Sequence, residues 1–108
     1  MANGLNEKDW KLFRSRLPDW QENYIEKIIE EYRELLCSKE QASDKFWALD
    51  ERIKQDKRNP GVLIRGISRS DMEFHLLQLL RYGVIRLEDL EGFSEELQEK
   101  LTWIMGNE

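Results

Sequence analysis

Between residues 19 and 37 the apolar side chains fall on one half of a helical wheel, and this pattern constrains the fold more than any other feature of the chain. Stepping about 100° per residue places Trp20, Tyr24, Ile25, Ile28, Ile29, Tyr32, Leu35 and Leu36 together. Glu22, Asn23, Glu26, Lys27, Glu30, Arg33 and Glu34 take the other half. The segment predicts an amphipathic helix with one core face and one solvated face.

Upstream, Trp10, Phe13 and Leu17 recur at i, i+3 and i+7 and predict a first helix over residues 7–16. The Leu17-Pro18 step is expected to end it in a bend, because a residue before proline avoids the α region. Pro18 and Asp19 then suit the first turn of the second helix. A third helix is expected from a Ser43 cap to about residue 57, with Phe46, Leu49 and Ile53 as its stripe and Trp47 at the flank. Arg58-Asn59-Pro60-Gly61 breaks it, and residues 62–67 are β-prone but isolated, an ordered loop with room for a short strand.

Ser70 and Glu73 match a capping box and predict a fourth helix starting there. Its apolar residues, Met72 to Tyr82, occupy nearly every side, so it is expected at the centre of the fold, stopped by Gly83. Residues 86–92 hold one helical turn, and Ser94 caps a last helix on Leu97, Leu101 and Ile104, flanked by Trp103 and Met105. The expected fold class is all-α: residues 1–108 form one domain, a bundle of four to five helices with residues 1–6 disordered and the second helix packed across the fourth.

A chain of 108 residues has no room for a second domain. With 40% hydrophobic residues it has the material for a core despite 36% charged content. Cys37 is the single cysteine, so no internal disulfide can form, and a reducing, cytoplasmic compartment is expected. The N-terminus lacks the basic stretch and apolar run of a secretory signal. The most apolar stretch, residues 74–87, is broken by His75, Gln78, Arg81 and Arg86, which argues against a membrane span.

The residues offer no catalytic, cofactor or metal signature. His75 is the only histidine, so a two-histidine metal site is excluded and a structural role at a helix edge is expected. Neither Cys37 nor any serine has the local context of a nucleophile. The carboxylates lie on faces that amphipathicity gives to solvent, where no cleft would tune them. The glycines lack phosphate-loop spacing. A helix-turn-helix reading of residues 76–90 fails on sign, since Glu88, Asp89 and Glu91 would repel phosphates.

One charge segregation stands out. Residues 52–69 carry Arg52, Lys54, Lys57, Arg58, Arg65 and Arg69 against Asp56 alone, a segment of +5 in a chain of net charge −5. The first expectation is that acidic helices neutralise it within the fold; the alternative is a patch for nucleic acid or an acidic protein. Trp47, off the main stripe of its helix, is the aromatic best placed to be an exposed anchor.

Arg16-Leu17-Pro18-Asp19-Trp20-Gln21, Lys45-Phe46-Trp47-Ala48-Leu49, Asn59-Pro60-Gly61-Val62, and Gly83-Val84-Ile85 with Glu88-Asp89-Leu90 and Phe93-Ser94 resemble stretches in a group of small uncharacterised helical proteins of Gram-positive bacteria. Some of that group carry an automatic label of multidrug transporter, which conflicts with the hydropathy above. The resemblance implies a bacterial cytoplasmic protein and brings no catalytic residues. The expected function is a non-enzymatic protein-interaction or regulatory module, with another protein or a second copy as partner and no small-molecule substrate. The alternative is a nucleic-acid-associated accessory factor using residues 52–69.

Overall fold

The computed structural model describes residues 6–107. They form four α-helices, α1 (Glu7–Leu36), α2 (Ala42–Asp56), α3 (Met72–Arg81) and α4 (Glu95–Gly106), with a 3-10 turn at Leu87–Leu90 before α4. The fold is all-α, and residues 62–67 are turns without a strand among the described residues. Of the N-terminal segment expected to be disordered, residues 1–5 lie outside the described residues. Asn6 is ordered, its side chain accepting from the amides of Lys8 and Asp9 as the α1 cap.

The expected break at Leu17-Pro18 does not occur, and the first two expected helices are one helix of 30 residues. Proline removes one intrahelical bond, here the one that the Arg14 carbonyl would accept. Pro18 and Arg14 are both exposed, so water can satisfy that carbonyl. Leu17, one residue earlier, is 3% exposed and anchors the helix on the core side.

Three other starts and faces differ from expectation. Gln41, not Ser43, occupies the cap position of α2, and Ser43 lies in its first turn. The Ser70–Glu73 capping box is not made: α3 begins at Met72, Ser68 Oγ donates to Asp71 at 3.0 Å, and Glu73 pairs with Lys100 Nζ at 2.7 Å. A lysine brought in from α4 outcompetes the local backbone bond. Nor is α3 buried all round, because Phe74 and Tyr82 are exposed.

The core gathers around α3. Met72, Leu76, Leu79 and Leu80 meet Trp10, Phe13 and Leu17 of α1, Leu97 and Leu101 of α4, and Ile85, Leu90 and Phe93 of the connection. The first half of α1 therefore packs on α3, not the second half that the amphipathic pattern suggested. Gly83 ends α3 at φ +73°, with Gly83 N donating to Leu80 O and Val84 N to Leu79 O, a Schellman motif. Ser94 caps α4 through the Leu97 amide. The buried Asp9 accepts from Ser94 N at 2.8 Å and Ser94 Oγ at 2.7 Å, locking the start of α4 onto α1.

The second half of α1 runs on past this core and packs on α2 and the loop after it. The radius of gyration, 16.9 Å, exceeds the about 13 Å of a compact chain of this length, and the longest dimension is 59 Å. A helix of this length spans roughly 45 Å. The molecule is a helical core with a projecting α1–α2 hairpin.

Candidate interaction surface

The hairpin is held by a few specific contacts. Arg52, on α2, donates to Glu31 of α1 and, through Nε at 3.1 Å, to Asp56; its guanidinium also lies 5.4 Å from the centre of the Tyr32 ring. The Tyr32 hydroxyl donates to Asp56. Burial and, next, the bond to Asp56 push the Tyr32 phenol from 10.0 up to about 12. Lower down, Asn59 Nδ2 donates to the Tyr24 hydroxyl at 2.8 Å, its Oδ1 accepts from Gly61 N, and Gln21 Nε2 donates to the Pro60 carbonyl.

Apolar contact between the two helices is thin. Ile28 is buried, and Leu49 and Ile53 are half-buried, but among the described residues of α2 none is buried. Ile29 and Leu36, both expected in the core, are exposed. So is Phe46, expected on the α2 core stripe: it is 62% exposed and Trp47 is 65% exposed. A half-wheel of eight apolar residues is wider than one partner helix can cover. The two rings meet edge to face, their centroids 4.9 Å apart. Phe74 and Trp103 are also exposed, on α3 and α4.

The basic segment divides into paired and unpaired halves. Arg52 is committed to Glu31 and Asp56, Lys54 to Asp50 at 3.0 Å, and Arg69 to Glu7 at 2.9 Å. Arg69 also lies 6.0 Å from the centre of the Trp10 ring. Lys57, Arg58 and Arg65 have no ion pair with any described residue, and with Lys54 and Leu63 they line one open depression of about 430 Å³. Internal neutralisation thus accounts for three of the six cations.

A larger cleft of about 590 Å³ lies between Asn6, Arg69, Glu73 and Lys100. Of its charged groups, Arg69 is bonded to Glu7, Lys100 to Glu73, and both oxygens of Asp9 are held by Ser94. His75 is half-buried, its ring parallel to Phe13 at 6.4 Å and edge-on to Phe74 at 5.9 Å. Its Nε2 is buried without a hydrogen-bond partner. Cys37 is an exposed residue at the α1 C-terminus. Among the described residues no group of three His, Cys, Asp or Glu could hold a metal ion, and no helix is long and apolar enough to cross a membrane. The turn at Leu87–Leu90 is a single 3-10 turn, too short to serve as a recognition helix. No family model, curated protein or solved structure matches the chain.

Proposed function

We propose that the chain is a non-enzymatic protein-interaction or regulatory module of a bacterial cytoplasm, with the projecting α1–α2 hairpin as its contact element. The observation that carries this reading is the Phe46–Trp47 pair, two aromatic rings in contact yet each more than half exposed. Large aromatics held rigidly at a surface are what interface hot spots are made of, and leaving them in water is costly without a partner. Asp9, Arg69, Glu73 and Lys100 of the large cleft are each tied to a neighbouring side chain, which favours a structural role for them over acid–base work. A lone surface cysteine suits a reducing compartment.

The test is affinity capture from a bacterial lysate with the wild-type chain and with Trp47→Ala. Loss of a salt-tolerant protein partner, with helical content and a cooperative melt retained, supports the reading. Unchanged capture contradicts it.

A second reading rests on Lys57, Arg58 and Arg65, whose charges are not neutralised by described residues. A nucleic-acid-associated factor would use them on phosphates. Binding would then weaken steeply with salt, and replacing Arg58 and Arg65 would lower the salt slope by about one per lost contact. No binding at low salt removes this reading.

A further inference from the structure

We infer that a second copy of this chain covers the apolar side of the hairpin, the two hairpins stacking into a four-helix bundle; this rests on the hairpin being the contact element. The two long sides of the hairpin differ in chemistry. One is closed by the Glu31–Arg52 ion pair. On the other, Ile25, Ile29 and Leu36 recur at i, i+4 and i+11 along α1, and Phe46 and Ile53 at i and i+7 along α2. That side is an unfinished layer: a helix stripe is stable only when packed against another element, and a 15-residue helix is marginal alone.

The area fits a second copy. Ile29, Leu36 and Phe46 on that side and Trp47 at its flank are 46% to 65% exposed and together leave on the order of 500 Å² of apolar surface in water. Two-fold symmetry doubles this to about 1,000 Å², the threshold of a specific interface before any flanking polar surface is counted.

The charges fit it too. With the two-fold axis parallel to the helices, α1 of one copy lies antiparallel against α2 of the other. The α1 half is net acidic, with Glu22, Glu26, Glu30, Glu31 and Glu34 against Lys27 and Arg33; the facing end of α2 and the turn after it carry Lys54, Lys57 and Arg58. The Glu31–Arg52 and Tyr24–Asn59 contacts fix the levels of the two helices within one hairpin. At 1.5 Å per residue these levels bring Glu26 beside Lys57 of the second copy, Arg33 beside its Asp50, and Leu36 beside its aromatic pair. Each pair is opposite in sign or jointly apolar.

Sedimentation equilibrium of the full chain over a wide concentration range tests this, with Phe46→Glu and the charge reversals Glu26→Lys and Lys57→Glu alongside. All three sites are exposed, so the variants keep their helical content. The expected result is a dimer weakened about thirtyfold or more by Phe46→Glu, weakened by each reversal, and restored when the two reversed chains are mixed. A wild-type chain that stays monomeric overturns the second-copy inference. If Trp47→Ala still abolishes capture of a different protein, the contact role of the hairpin stands without it. A dimer indifferent to all three substitutions also overturns the inference, because it must form through another surface.

Discussion

Gly61 lies so close to Tyr24 that a β-carbon at position 61 would fall 2.5 Å from Cδ2 of the ring and 2.6 Å from Cγ2 of Val84. The loop after α2 is thereby clamped between α1 and Val84, just past the end of α3. Gly61→Ala must push the Tyr24 ring or Val84 aside, an overpacking cost of about 1–3 kcal/mol. Urea unfolding followed by circular dichroism checks it; a loss below the resolution of the method would mean the clamp yields freely.

Asp9 is 2% exposed and accepts two hydrogen bonds from Ser94. Asp9→Ala leaves the Ser94 amide and hydroxyl without that acceptor and is expected to cost about 2–3 kcal/mol. The same unfolding curves measure this, and an unchanged midpoint would show that the α1–α4 lock contributes nothing.

These two contacts mark where sequence reading stops. Trp10, Phe13, Leu17, Leu97 and Leu101 are legible as core because their periodicity is local, as are the Ser94 cap and the Gly83 stop. Asp9 reaches Ser94 across 85 positions, and no local pattern announces that pairing. Pro18 misleads because its cost depends on whether the Arg14 carbonyl faces water. Trp47 stood out from the stripe and is exposed, but Phe46, Ile29 and Leu36 carry the same periodicity as true core residues. Only the position of α2 reveals that nothing within the described chain covers them. Likewise, Arg52 and Arg69 are tied to Glu31 and Glu7, partners that charge counting along the chain cannot assign.

Tyr32 gives a pH signature of hairpin closure. Its phenol is raised from 10.0 to about 12, by burial first and then by the bond to Asp56. A raised folded value means that its stabilising contribution is complete below pH 10 and is lost as the pH climbs towards 12. Tyrosinate absorbance should therefore show a late-titrating component that disappears in Tyr32→Phe and moves earlier in Asp56→Asn. Identical curves for wild type and Asp56→Asn would contradict the Tyr32–Asp56 bond.

His75 contributes as a ring, stacked on Phe13, while its Nε2 is buried without a partner. Phenylalanine keeps the stacking and removes the unsatisfied nitrogen. His75→Phe is expected to leave stability unchanged or to raise it by up to about 1–2 kcal/mol. A destabilised variant would show that Nε2 makes a bond worth keeping.

The most direct test of the hairpin as a contact surface is far-ultraviolet circular dichroism of the Phe46→Ala/Trp47→Ala double variant, at a dilution where the chain does not associate. Neither ring supports the monomer's core, so the account predicts wild-type helical content and a cooperative melt. Loss of helical signal equivalent to the melting of α2 would contradict it, because the two rings would then hold the hairpin together rather than await a partner.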